Sequence, residues 1–156
     1  MSFPNTTARL DTGRIIEARL LAGWTNAGSL RTPIQFPSVL GLRTSPTDDT
    51  AISETPPTGA DWIRLDIIDG DTQAVTYGGT SGQNRCSGII QIGIYTPRQK
   101  GDGQLFTLGG LAVDIFDRYH ADGLRCVAST LRKTADDRGW LRALVRTPFE
   151  YYAEVS

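Results

Sequence analysis

Apolar residues recur at helical spacing in the first part of the chain. Ile16, Leu20 and Trp24 lie four residues apart, with charged residues between them. Side chains four apart share one face of an α-helix, so residues 6–24 are predicted to form an amphipathic helix. Asn and Gly at residues 26–28 favour the left-handed backbone that closes a helix and are predicted to end it.

A second helical stripe lies in the C-terminal half. Its apolar members are Leu105, Leu108, Ala112, Ile115, Phe116 and Tyr119. They predict a second amphipathic helix, ended by Asp122 and Gly123. Gly109 and Gly110 lie inside it and cost about 1 kcal/mol each relative to alanine. Close backbone packing or a slight bend is therefore predicted at this pair.

Strict alternation of apolar and polar residues marks the strands. Strands are predicted at residues 62–67, 85–96, 124–133 and 140–155, with a short edge strand at 34–39. Asp69-Gly70-Asp71 is predicted to form a tight reversal, after which residues 73–77 resume an extended pattern. A further turn is predicted at residues 136–139.

The order of elements is helix, several strands, helix and two strands. It predicts an α+β fold, with a mostly antiparallel sheet and two helices packed on one face. The 156 residues, 39% of them apolar and 21% charged, suit one globular domain spanning residues 1–156. Residues 41–61 are rich in Thr, Ser, Pro and Asp and are predicted to form a long mobile loop.

A sheet with helices on one face leaves the other face to solvent or to a partner. The alternate positions predicted to be exposed on that face are Trp62, Tyr95 and Trp140 beside Arg64, Arg142 and Arg146. Aromatic and arginine side chains are enriched at interfaces, which favours self-association. In a monomer the arginines would be ordinary solvated strand surface.

Charge and hydropathy exclude several classes of protein. The formal net charge is -1 with both signs interspersed, so no broad attraction for nucleic acid is expected. The most apolar N-terminal stretch, residues 15–24, is interrupted by Glu17 and Arg19, which argues against a signal peptide or a membrane span. The chain is expected to stay in the cytosol where it is made.

The residues that could carry chemistry are few. Cys86 and Cys126 lie in predicted strands, where cysteine behaves as a small buried hydrophobe, and His120 lies at a predicted helix end. Two cysteines and one histidine do not supply a structural zinc site, and nothing in their spacing brings nucleophile and base together. We predict no catalytic, metal or cofactor-binding residues and no enzyme activity.

Two further motifs admit alternative interpretations. Residues 78–82 form a glycine-rich run that lacks the Lys-Ser/Thr of a phosphate-binding loop and is better explained as a hairpin tip. Asp66, Asp69 and Asp71 are better explained by turn formation than by calcium binding, because the closing glutamate of a calcium loop is missing. Binding of a cation between two subunits by these aspartates is left as an alternative.

Taken together, the elements and local motifs resemble the tail terminators of long, non-contractile-tailed phages, the minor tail protein U type. The resemblance covers most of the chain. It is carried by Trp62-Ile63-Arg64-Leu65, by Arg85 leading into Gly88-Ile89-Ile90-Gln91-Ile92, by Tyr95-Thr96-Pro97 with Gly101 and Gly103, and by Gly139-Trp140 with Pro148-Phe149-Glu150-Tyr151. The loop at 41–61 is longer than the family pattern.

The resemblance implies a homo-oligomeric ring, usually a hexamer, that caps the tail tube and stops its polymerisation. The ring would offer a surface to the head-tail connector proteins, with no membrane or sequence-specific nucleic acid as partner, although its lumen would admit DNA. The expected location is the head-proximal end of the virion tail, with assembly in the bacterial cytoplasm. Candidate interface residues are Arg43, Asp48, Asp49, Glu54, Arg64, Arg142 and Arg146.

Two other functions stay open at this point. A head-tail connector or head-completion protein of the same virion would share the size and the ring. From another class, a small ligand-binding module or a cysteine-dependent enzyme would need polar groups that converge in a pocket.

Overall fold

The computed structural model describes residues 4–26, 34–35, 61–74, 82–98, 101–121, 123–137 and 139–155. Two helices and seven strands lie within this part of the chain. In order they are α1 (Pro4–Asn26), β1 (Ile34–Gln35), β2 (Trp62–Ala74), β3 (Gly82–Pro97), α2 (Gly101–Phe116), β4 (His120–Ala121), β5 (Leu124–Cys126), β6 (Thr130–Asp137) and β7 (Trp140–Val155).

The strands form one mixed sheet in the order β1-β2-β3-β7-β5-β4, and β6 also pairs with β7. Only β1 and β2 run parallel, and the other pairs are antiparallel. β7 pairs with β3 along its whole length, from Trp140 opposite Pro97 to Val155 opposite Gly82. Its other side pairs first with β6 and then with β5. The predicted α+β class is confirmed.

Both helices pack on one face of this sheet, as predicted. α1 contributes Ile16, Leu20 and Trp24 to the core, all at most 2% exposed. The sheet contributes apolar residues at alternate positions, where burial of side chains drives the packing. These include Ile63, Leu65, Ile90, Ile92, Ile94, Ala143, Val145 and Phe149.

The stripe predicted for the second helix is confirmed, but its end is not. Leu105, Leu108, Ala112, Ile115 and Phe116 are buried on α2. The helix stops at Phe116 because Arg118 adopts a left-handed backbone with φ of 56°. The predicted stop at Asp122 and Gly123 was wrong, since Gly123 has φ of 86° and instead lies between β4 and β5.

The two adjacent glycines of α2 have different surroundings. A Cβ on Gly109 would lie 2.7 Å from Leu131 Cδ1, so the close packing predicted here is confirmed. A Cβ on Gly110 would meet no atom within 4 Å. Only the first glycine packs against a neighbouring side chain.

The reversal predicted at Asp69-Gly70-Asp71 was wrong. β2 runs through these residues and pairs with β3 on both sides of them, with a register shift between Asp69 and Thr72. A β-bulge uses the same small and turn-forming residue types as a hairpin turn, which explains the error. Residues 78–81 of the predicted glycine-rich tip lie outside the described residues, and Gly82 begins β3.

The strand predicted at 124–133 is two strands, β5 and β6, separated by residues 127–129. The backbone N–H of Val127 donates to the Pro148 carbonyl at 3.0 Å, and that of Ser129 donates to Asp117 Oδ1 at 2.7 Å. The Asp117 side chain therefore accepts a backbone N–H between the two strands. Gly139, with φ of 87°, closes the confirmed turn between β6 and β7.

The remaining predictions concern segments that are only partly described. Ile34 and Gln35 form the start of the predicted edge strand, and the rest of the segment lies outside the described residues, as do residues 41–60 of the predicted loop. In the described part of the chain, neither helix has the length and hydropathy needed to cross a membrane.

Candidate interaction surface

The face of the sheet opposite the helices, called the open face below, carries its side chains in cross-strand rows. Strand register sets four of these rows, running from β2 through β3 to β7. The first three are Trp62–Tyr95–Arg142, Arg64–Gly93–Leu144 and Asp66–Gln91–Arg146. The fourth is Ile68–Ile89–Pro148. Along the face, an aromatic row is thus followed by two rows that contain charged residues and then by an apolar row.

The first row is an aromatic cluster. The rings of Trp62 and Tyr95 stack with centroids 4.0 Å apart and planes 5° apart, and Trp140 meets Trp62 edge-on at 6.2 Å. Arg142 places its guanidinium carbon 5.6 Å from the Tyr95 ring centroid. Trp62 and Tyr95 are only 8% and 6% exposed, so the prediction that both would be exposed was wrong. Mutual stacking accounts for much of their burial.

Two hydrogen-bond donors in this row are buried without an acceptor. They are Trp62 Nε1 and Arg142 Nε. Leaving such donors unpaired costs about 1–3 kcal/mol each. The aromatic row is therefore held together by ring stacking and burial, at the cost of these two unpaired donors.

The predicted arginine stripe is present on the open face. Arg64 pairs with Asp66 at 3.3 Å, and Arg146 donates from Nε to Gln91 Oε1 at 3.1 Å. Together with Arg142 they place three guanidinium groups on one face, as the alternation predicted. The other four candidates, Arg43, Asp48, Asp49 and Glu54, lie outside the described residues.

An open groove of about 620 Å³ lies at the end of the face far from the aromatic row. Ile68 and Val127 border it and are 45% and 44% exposed. Glu150 lies on its lining between Arg85 at 3.8 Å and Arg125 at 3.9 Å. The remaining lining includes Asp69, Asp71, Ser87, Ile89, Pro148 and Phe149.

Two irregularities of the backbone border this groove. The β2 bulge between Asp69 and Thr72 interrupts one wall, and the break between β5 and β6 exposes Val127 on the other. Gly88 allows the strands to approach closely, since a Cβ there would lie 2.6 Å from Phe149 Cζ and 2.7 Å from the Ile68 carbonyl oxygen. A smaller cavity of about 390 Å³ lies beside β6, lined by Leu144 and Arg146 among others.

The candidate chemical residues do not form a reactive site. Cys86 and Cys126 are free and buried, as predicted, whereas His120 is exposed on β4. Burial raises the pKa of the Cys126 thiol from 9.0 to about 11, and the positive charge of Arg19 acts in the opposite direction. A thiol with this pKa stays protonated at neutral pH and is a poor nucleophile. Among the described residues, no three His, Cys, Asp or Glu side chains cluster as metal ligands.

Comparison with known proteins bears on the fold. One solved structure, of a protein whose name states no activity, is similar with a TM-score of 0.59. The similarity covers 87% of this chain and 89% of the other at 15% sequence identity. The likeness is one of fold. Six solved chains match at this level, whereas no protein-family model and no curated protein matches the sequence.

Sequence reasoning missed the groove. Ile68 belongs to the open face by simple alternation from Trp62, but the expected turn at residues 69–71 ended the strand before it. Val127 was hidden inside a single predicted strand, whereas in the structure β5 ends at Cys126 and Val127 lies in the gap before β6. Phe106, 45% exposed on α2, falls outside the apolar stripe, and that departure was an available signal.

Proposed function

We propose that this chain is a structural assembly protein of a phage tail, a tail terminator that forms a homo-oligomeric ring on the tail tube. The observation that carries this proposal is the open face. Both helices cover one side of the sheet, while the other side presents three arginines and a groove bordered by the exposed side chains of Ile68 and Val127. Such a face suits contact with other protein subunits.

The proposed mechanism is differential association without bond chemistry. One rim of the ring binds the last ring of tube subunits. The other rim lacks a surface that binds a further tube ring. The second rim then receives the head-side connector. Subunits around a closed ring make heterologous contacts, in which one patch meets a different patch on the neighbour. The protein would accordingly reside at the head-proximal end of the tail.

The test is to interrupt the gene for this chain in the phage that carries it and to measure tail lengths in the lysate by electron microscopy. A terminator predicts overlong tails without heads, restored to normal length by the wild-type chain supplied in trans. Normal-length tails beside unjoined heads would favour a connector instead. Intact virions would contradict both functions.

A further inference from the structure

Four large apolar side chains are substantially exposed within the described residues: Ile68, Phe106, Val127 and Tyr152. Ile68 and Val127 border the groove on the open face. Phe106 lies on α2, on the helix side of the sheet. The described residues therefore present a groove with apolar borders on one side of the sheet and the exposed Phe106 ring on the other.

The local sequence of α2 makes Phe106 a protruding knob. Gly103 and Gly110 lie three residues before it and four residues after it, which places all three on one side of the helix. A Cβ at either glycine would meet no atom within 4 Å. The Phe106 ring therefore projects above the helix surface at these two positions. Beside the knob, Lys133 Nζ pairs with Asp102 Oδ1 at 2.9 Å, and these side chains are 40% and 52% exposed.

The groove is large enough for this knob, and both surfaces carry charged side chains. Its volume of about 620 Å³ is ample for an aromatic side chain and its neighbours on one helical turn. Its lining carries both signs of charge, with Asp69 and Asp71 from β2 and the 68% exposed Arg125 side chain from β5. The knob is likewise flanked by one acid and one base, so opposite charges can face each other across a contact.

We propose that Phe106 of one copy inserts into the groove between Ile68 and Val127 of the next copy. The proposal rests on the ring function above and names its subunit contact. Because knob and groove lie on opposite sides of the sheet, each subunit can use both at once. Such a head-to-tail contact propagates from subunit to subunit and closes into a ring when the rotation per subunit divides a full turn.

The experiment uses two single variants of the full chain, Phe106→Asp and Val127→Asp, studied by analytical ultracentrifugation. The wild type is expected to form oligomers, and each variant alone to lose affinity about tenfold or more, because a buried carboxylate would replace an apolar contact. A 1:1 mixture should recover a heterodimer. The first variant still has an intact groove and the second an intact knob, so one good contact forms per pair.

The matched control is Tyr152→Asp, which places the same charge at an exposed apolar residue that does not line the groove. It should associate like the wild type. Circular dichroism and urea midpoints check that each variant folds, and Phe106→Ser and Val127→Ser repeat the test if either aspartate variant unfolds.

Three results would overturn the contact: a wild type that is monomeric up to its solubility limit, a single variant that associates like the wild type, or a mixture of variants that stays monomeric. A failure of the proposed Phe106 contact can be distinguished from a failure of the proposed terminator function. Overlong tails together with a monomer would refute only this contact, whereas normal tails together with a mixing-dependent heterodimer would refute only the function.

Discussion

Gly109 of α2 packs directly against Leu131 of β6, so that a Cβ on the glycine would lie 2.7 Å from Leu131 Cδ1. The contact fixes how closely α2 approaches the sheet. Its neighbour Gly110 faces open space, which makes the two glycines a matched pair within one helix.

Gly109→Ala is expected to change the free energy of unfolding less favourably than Gly110→Ala, because the added methyl must displace the end of the flexible Leu131 side chain. Gly110→Ala should raise it by about 0.5–1 kcal/mol, since alanine restricts the unfolded chain and meets no obstacle in the helix. Urea unfolding followed by circular dichroism measures both. Equal effects of the two substitutions would contradict the difference in packing.

Arg19 joins the two helices. Its Nε donates to the Ile115 carbonyl oxygen at 3.0 Å, in the last turn of α2, and its guanidinium lies 4.2 Å from the Tyr119 ring centroid. Arg19→Met should cost about 1–3 kcal/mol of unfolding free energy, because it leaves that carbonyl unpaired and removes a positive charge from a helix C-terminus.

The matched control for this prediction is Arg132→Met on the exposed surface of β6, expected to change stability by no more than about 0.5 kcal/mol. Thermal or urea unfolding of the two variants gives the comparison. If Arg132→Met lowers the free energy of unfolding as much as Arg19→Met, the contacts of Arg19 do not stabilise the fold specifically.

The Trp62 indole N–H is buried without an acceptor while the ring stacks on Tyr95. Trp62→Phe keeps a stacking ring and removes the unpaired donor, so it should cost less than about 1 kcal/mol. Trp62→Ala removes the ring as well and should cost about 3–5 kcal/mol. The comparison is made by denaturant unfolding, and a Phe variant as unstable as the Ala variant would mean that the N–H has a partner.

The Cys126 thiol predicts a dependence of stability on alkaline pH. Its pKa is raised in the folded state from 9.0 to about 11, so the folded protein holds this proton more tightly than the unfolded chain. The resulting stabilisation is fully present below pH 9.0 and is lost as the pH rises to about 11. Its upper bound is roughly 2–3 kcal/mol.

Cys126→Ala isolates this contribution, because every other group titrates in both proteins. The difference in unfolding free energy between wild type and variant should shrink steadily above pH 9.0. A difference that stays constant through that range would mean that the thiol is not desolvated. Arg19→Met should enlarge the effect, because the arginine lowers the pKa of this thiol.

The regular elements could be predicted because single periodicities define them. The alternation through Ile63 and Leu65 predicted β2, and the same pattern on the paired strand predicted most of β3. The spacing of apolar residues from Leu105 to Phe116 predicted α2. The same alternation placed Arg64, Arg142 and Arg146 on one face, where the structure has them. Local sequence is sufficient where one face is buried over many residues.

The groove could not be predicted because it depends on irregular backbone. Bulge residues at Asp69 and Gly70 have the composition of a turn, and only the pairing with β3 shows that the strand continues. The end of α2 at Phe116 depends on Arg118 in a left-handed conformation, which residue preference disfavours. The charge on the groove lining combines Arg125 and Glu150 from two strands whose register the sequence does not encode locally.

The position of β7 in the chain has a consequence for biosynthesis. This strand pairs with β3, β5 and β6 and packs against both helices, yet it follows all of them in the sequence. The apolar stripes of α1 and α2 therefore stay only partly covered until the 16 residues of β7 have been made. Folding on the ribosome cannot finish until Trp140–Val155 has emerged, and chaperones have that interval in which to bind.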